Sequence, residues 1–421
     1  MHHRAATRFF PGTTAHHRDP CTATFRHHKW PSAVAVELRA VQASCRVKLL
    51  LAPDKFKGSL SAAAVSEALS IGWKSVLPDT EFAFAPIADG GEGFCDALAK
   101  ALDGQWIRVD SVDALGRPAE CRYVWIAATR TAVIEMSEAS GLSRLLESER
   151  DPRKTHTLGT GILIRDAILL GAKNILIGLG GSATTDGGIG MAAALGYRFL
   201  CAKTGEALEA IPANFPKIGA IDHSDVYPLP NIIAACDVQN PLLGERGTAA
   251  VFAPQKGADE HAVRFLEGGL THLAKIVERD LGCDFRETPG AGAAGGMGYG
   301  LLSFCKATLQ PGFDLVAKAV GLHELIAEAD LILTGEGSLD SQTLHGKGPA
   351  GLAAMARAAG KPVIAFAGSI EESPALLERF DAAVPIIDRP VSLENAMRDA
   401  APFLQRAAAR TARLVARPIP L

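Results

Sequence analysis

From Val47 onward, short apolar runs alternate with stretches in which apolar residues return every three or four positions. The runs read as buried strands and the stretches as amphipathic helices, because side chains alternate faces along a strand and align at that spacing on a helix. Residues 47–52 give a first strand. Val65, Ala68, Leu69, Gly72, Trp73 and Val76 then keep helical spacing, residues 82–86 form a second strand, and a helix covers 94–102. The alternation resumes late, with strands at 331–333, 363–366 and 383–386 separated by helices over 349–359 and 374–380.

Strands joined through helices predict a parallel sheet covered on both faces. In the order 2-1-3-4-5, the five strands have a switch point between the first and the third, where such sheets bind ligands. Between the two blocks the texture changes. Residues 121–128 and 131–136 flank a short Ala-Thr-Arg-Thr link and predict an antiparallel hairpin, and strands follow at 174–177 and 232–236. The expected fold is α/β: a doubly wound parallel sheet in two pieces, 47–104 and 297–421, with a second α/β domain inserted over 105–296. Gly and Pro are scattered rather than gathered in a linker, so the domains are expected to meet across a cleft.

Composition narrows the class. With 421 residues, 48% hydrophobic, 21% charged and a formal net charge of -3, the chain is long enough for two cores and suits a soluble globular protein. No nucleic-acid partner is expected, and no run reaches the roughly 20 apolar residues of a membrane helix. The eight cysteines form no Cys-x-x-Cys pair and read as reduced thiols of a cytoplasmic protein. Residues 1–46 carry three His-His pairs and several arginines without an apolar signal core, and are expected to be a disordered extension. A metal-binding histidine tract and a translation start further along the chain are the other readings of that segment.

Candidate chemistry sits where strands end. Asp54-Lys55-Phe56-Lys57 follows the first strand, offering lysines to phosphate oxygens and an aspartate to a cation. Asp89-Gly90-Gly91-Glu92 follows the second, its glycines letting backbone approach a ligand held by two carboxylates. Residues 178–190 contain six glycines in thirteen positions, with Ser182, Thr184 and Thr185 as hydroxyl donors and Asp186 as a candidate base. Asp237 and Lys256 end later segments and either line the cleft or serve turns. Thr334-Gly335-Glu336-Gly337-Ser338-Leu339-Asp340 runs on to Gly346-Lys347, but it fails as a P-loop because Ser341 and Gly348 stand where that motif needs Gly and Ser or Thr. The glycines at 290, 292 and 295 match the dinucleotide fingerprint formally, without a strand before them, and read as a close-packed helix start. His156 and His345 read as surface or turn residues.

The ordered motifs LLLAPDKFKGSLSA, IADGGEGF, IGLGGSATTDGGIGM, ACDVQNPLLG, FAPQKGA, PGAGAAGGMG and LTGEGSLDSQTLHGK resemble the type I glycerate kinases from Val47 to Ile387. The resemblance implies a discontinuous flavodoxin-like domain with an inserted α/β domain, and ATP-dependent phosphorylation of D-glycerate, at the 2-hydroxyl. ATP and Mg²⁺ are the implied cofactors, and homo-oligomer formation is left open. The histidine-rich extension departs from the family pattern. Phosphoryl transfer relies on positioning and charge neutralisation. On that basis Lys57 and Lys347 are expected at phosphates, and Asp89, Glu92, Glu336 and Asp340 at metal or substrate hydroxyls, with Asp89 and Glu92 the metal candidates. Asp186 is expected to orient or deprotonate the attacking hydroxyl, with Gly180, Gly181 and Ser182 on an anionic group. Asp54, Lys55, Gly90, Gly91, Asp237 and Gly335 complete the expected binding set. The rival readings are an NAD(P)H-dependent reductase of hydroxypyruvate-like acids and a non-catalytic sugar-acid sensor.

Overall fold

The computed structural model describes residues 47–416 apart from Pro86, Ala88, Asp89, Gln342, residues 344–347 and Glu372. Asp89, His345 and Lys347, and the expectation for residues 1–46, therefore lie outside the described residues.

Two main sheets organise the chain. The first is all parallel and is built from β1 (Lys48–Leu51), β2 (Glu81–Phe84), β11 (Leu331–Leu339), β12 (Val363–Ile370) and β13 (Ala382–Pro385). Its order is β13-β12-β11-β1-β2, the 2-1-3-4-5 arrangement expected from the sequence. The period of two in β1 divides its core. Leu49 and Leu51 pack with Val65, Leu69 and Trp73 of helix Ala62–Lys74 and with Phe403, Leu404 and Ala407 of helix Ala400–Val415. Leu50 and Ala52 point the other way, into a core with Ile326, Leu352 and Ala356. Helices thus cover both faces. Ser61 starts helix Ala62–Lys74 by accepting from the Ala64 amide at 3.2 Å. Gly72 lets that helix lie directly on the backbone of Gln405, where a Cβ has no room.

The second sheet has six strands, β3 (Gln105–Val112), β4 (Pro118–Ile126), β5 (Thr131–Glu135), β6 (Asn174–Gly178), β9 (Asn231–Ala235) and β10 (Thr308–Gln310). In the order β10-β9-β6-β5-β4-β3, the β3-β4-β5 portion is antiparallel and the rest parallel. A small ribbon of β7 (Arg198–Cys201) and β8 (Ile218–Asp222) completes the strands. One face packs against helices Leu158–Leu169, Glu260–Leu281 and Ala293–Cys305 around a core containing Ile134, Ile177, Leu266, Leu273 and Met297.

The crossings between sheets differ from the sequence expectation in two places. Helix Phe94–Ala101 follows β2 yet lays Phe94 and Leu98 on Val124, Ile126 and Val133 of the second sheet. At the other end, β10 pairs with β9, so the second sheet takes residues as far as Gln310, beyond the expected change at 296. A three-residue strand carries too little periodicity to be read, and its membership depends on which neighbour it meets. Helix Gly312–Ala319 then wedges between the cores, with Phe313 on the first sheet's side and Val316 on the second's.

Candidate active site

The first wall grows from β1 and β11. Thr334 Oγ1 donates to the Ala52 carbonyl at 2.7 Å, and the Asp54 amide donates to the Gly335 carbonyl at 2.8 Å. These bonds splice residues 53–57 onto β11. Asp54 Oδ1 accepts from the Lys55 amide at 2.6 Å, and Lys55 Nζ donates to the Glu92 carbonyl at 2.8 Å. The chain then turns tightly between Phe56 and Leu60, using Gly58 at φ +74°, and leaves Lys57 exposed. Asp54, Lys55, Lys57, Glu92 and Lys100 line a cleft of about 720 Å³.

The segment expected to open as a loop at Thr334 is strand as far as Leu339, with Glu336 opposite Ala367 and Ser338 opposite Ser369 of β12. Gly335 continues the ladder opposite Phe366, and β12 supplies a parallel partner as far as Leu339 opposite Ile370. Glu336 is thereby held on a rigid element. Thr343 Oγ1 donates to Glu336 Oε1 at 2.7 Å and accepts from the Asp340 amide at 3.2 Å, so one hydroxyl ties together the two carboxylate-bearing positions.

A second group of candidates sits at the carboxyl ends of β5, β6 and β9. The Gly180 amide donates to the Gly90 carbonyl at 3.2 Å. A Cβ on Gly178 would strike that carbonyl, and one on Gly180 would strike the Gly91 Cα. The loop after β2 is thus docked on the glycine loop after β6, bringing Gly90 and Gly91 to Gly180 and Gly181. Gly181, at φ +72°, turns the chain so that its carbonyl accepts from the Leu142 amide at 2.8 Å. Asp237, past the end of β9, accepts from the Gly312 amide at 3.0 Å and so holds the start of helix Gly312–Ala319.

Asp186 departs from the role expected of it. It is fully buried, with Oδ2 accepting from the Thr157 amide and hydroxyl at 2.8 Å each and from the Gly190 amide at 3.1 Å, while Oδ1 accepts from the Gly188 amide at 3.1 Å. Three donors saturate Oδ2, one holds Oδ1, and the side chain has no exposed surface from which to meet a substrate hydroxyl. Asp186 therefore organises the start of helix Ile189–Ala194. Thr184 and Thr185 are likewise fully buried beneath the loop, and His156 is 5% exposed rather than a surface residue.

Comparison with known proteins decides the lineage. A model described as "Glycerate kinase family" matches residues 49–416. The chain belongs to the glycerate kinase family. It is 42% identical over 365 residues to a glycerate kinase of Halalkalibacterium halodurans, covering 86% of this chain and 96% of that one. It is 39% identical over 375 residues to the glycerate 2-kinase of Escherichia coli, covering 88% and 98%. A crystal structure from Salmonella typhimurium, described provisionally as glycerate kinase 2, superposes with a TM-score of 0.78 at 40% identity, covering 88% of this chain and 98% of that one.

In this glycerate kinase family member, the sequence pattern gave no sign of Glu135 and left Lys256 between cleft and turn, and both are buried. Glu135 ends β5 beside Gly178, and its Oε1 accepts from the amides of Gly93 and Cys95 at 3.1 and 2.8 Å. Burial raises its pKa, against the lowering effect of those amides. Lys256, 2% exposed, donates from Nζ to Ser182 Oγ at 2.8 Å and to the Thr184 carbonyl at 2.6 Å. Its sequence signal was Gly257, which at φ +95° abuts the Arg150 carbonyl and fixes the preceding turn. The dinucleotide-like glycines are consumed by packing: a Cβ on Gly292 would meet the Pro241 carbonyl and one on Gly295 that of Thr184. Among the described residues no three His, Cys, Asp or Glu side chains cluster as a metal cage. Mg²⁺ in kinases takes only one or two carboxylates and fills its remaining positions with phosphate oxygens and water, so Glu336, Asp340 and Glu92 suit it chemically.

Proposed function

We propose that this chain phosphorylates D-glycerate from ATP and Mg²⁺, at the 2-hydroxyl. The observation that carries the reading is the docking of the Gly90–Gly91 backbone on Gly180, which packs the loop after β2 of the first sheet against the loop after β6 of the second. Strand ends and helix starts offer unpaired amides to anions, as a triphosphate and a carboxylate require.

Lys55, Lys57 and Lys347 are assigned to phosphate charge, with Lys57 on an exposed turn at the cleft. Glu336 and Asp340, with Asp89 and Glu92, are assigned to Mg²⁺ or a substrate hydroxyl. Held by these residues, the ion would supply charge neutralisation for phosphoryl transfer. Gly180, Gly181 and Ser182 are assigned to an anionic group, and Asp54, Gly335 and Asp237 to shaping the walls. Asp186 is assigned to positioning rather than proton transfer, because its oxygens are occupied. Six described cysteines are free, and no described helix is long and apolar enough to cross a membrane, which supports a cytoplasmic setting.

The test is ADP release measured with and without D-glycerate and Mg²⁺, with the product identified by phosphorus NMR. Release dependent on both, yielding 2-phosphoglycerate, supports the reading. Release independent of glycerate overturns it.

A further inference from the structure

We propose that Lys256 is a positioning residue that aims the Ser182 hydroxyl at an anionic oxygen of the bound reactants, an inference that rests on the glycerate-phosphorylation reading. An ammonium carries donors only, so Ser182 Oγ accepts from Lys256 and its own hydrogen must point elsewhere. Ser182 is fixed in place by a bridge to Gly141, and it keeps 9% of its surface while Thr184, Thr185 and Asp186 keep none. Ser182 is therefore the member of this group that retains some exposed surface. Accepting from a cation also polarises the hydroxyl and strengthens the bond it donates.

The cation has an unusual setting. Burial lowers the Lys256 pKa to about 7, opposed by the charge of Asp186. Asp186 does not relieve that burial as a direct partner, since Thr157, Gly188 and Gly190 occupy its oxygens. The other charged or titratable groups on the surrounding elements are Arg150, Asp151, Arg153, Lys154 and His156 on the segment whose Arg150 backbone packs on Gly257, and Asp259 and Glu260 at the start of helix Glu260–Leu281. A buried cation without a bonded counter-ion gains from an anion brought nearby.

The protonation state sets the direction of the Ser182 bond. Below about pH 7 the ammonium donates and the hydroxyl hydrogen is free for the ligand. Above it the neutral amine can accept that hydrogen and withdraw it from the ligand. The anionic oxygen belongs either to the glycerate carboxylate or to a phosphate of the nucleotide, two sources with the same recognition chemistry.

The experiment is calorimetric titration of wild type, Lys256→Met, Ser182→Ala and the double variant, between about pH 6 and pH 8.5. D-glycerate alone and the Mg²⁺ complex of a non-hydrolysable ATP analogue alone are the two probes. In wild type, affinity for one probe is expected to fall about tenfold per pH unit above pH 7. Each single variant is expected to bind that probe roughly 10–100-fold more weakly at low pH, with a flat pH profile, and the double variant no more weakly than either. The responding probe identifies the source of the anion. Flat wild-type profiles for both probes, or additive losses, overturn the proposal. So does activity that rises through pH 7 and disappears in Lys256→Met, which would make the lysine a base for Ser182. If Lys256→Met does not fold, Ser182→Ala, which removes one hydroxyl, reads the same pH limb. Binding is measured without turnover, so a missing glycerate-dependent ADP release in wild type condemns the kinase reading separately.

Discussion

The Gly180 amide donates to the Gly90 carbonyl at 3.2 Å, joining a loop that leaves the parallel five-stranded sheet to a loop that leaves the mixed six-stranded one. The contact is backbone on backbone, and neither partner tolerates a side chain at the interface. The two loops therefore meet at a separation that only glycine permits.

Replacing Gly180 with Ala should force these loops apart, because the new methyl meets the Gly91 Cα rather than a movable side chain. Misplacing reacting groups by about 1 Å costs on the order of a hundredfold in rate. Steady-state kinetics should show that loss with an unchanged circular dichroism spectrum. Activity within a factor of about two of wild type would mean that the loop spacing does not govern the reaction.

Asp186→Ala should leave four buried donors without their acceptor. Stripping one partner from a buried charged network costs about 3–5 kcal/mol, so the urea midpoint should fall clearly. A variant with normal stability but greatly reduced turnover would return Asp186 to the role of base.

Glu135→Gln keeps an oxygen for the Gly93 and Cys95 amides while removing a charge that burial disfavours. The pKa of Glu135 is raised in the folded state, so the native chain holds the proton longer than the unfolded one. Its contribution to stability is fully present below the ordinary glutamate value of 4.5 and is lost as pH rises through the folded pKa. Denaturant unfolding of wild type should thus lose stability across that window relative to Glu135→Gln. Parallel pH curves for the two proteins would exclude this carboxyl as the source.

Chelation of Mg²⁺ should abolish ADP release, and added Mg²⁺ should restore it. Glu336→Gln should raise the Mg²⁺ concentration needed for half-maximal activity and lower the maximal rate by roughly a hundredfold, given the several kcal/mol a metal ion supplies. An unchanged Mg²⁺ requirement would remove Glu336 from the metal assignment. It would leave open to Glu336 the substrate hydroxyl, which a shift in glycerate KM would register.

The apolar run of residues 47–52 and the helical spacing from Val65 to Trp73 mark a buried strand followed by its covering helix, and the structure divides that run between two cores, Leu49 and Leu51 on one face and Leu50 and Ala52 on the other. Such periodicities record which face of an element is buried, and the glycine clusters at strand ends record where backbone must come close. The sequence by itself therefore determined the sheet order, the hairpin of β4 and β5, and the glycine loops that wall the cleft. Only the tertiary structure decided that β11 continues to Leu339, that β10 joins β9, and that Lys256 reaches Ser182 from 74 residues away. Each of these depends on a partner distant in sequence: a parallel neighbour that sustains a glycine-bearing strand, an edge that accepts three residues, a buried hydroxyl that takes an ammonium. Local pattern marks a residue as buried or turning, whereas the chemistry of a buried Glu135, Asp186 or Lys256 is fixed by the donors and acceptors that packing brings to it.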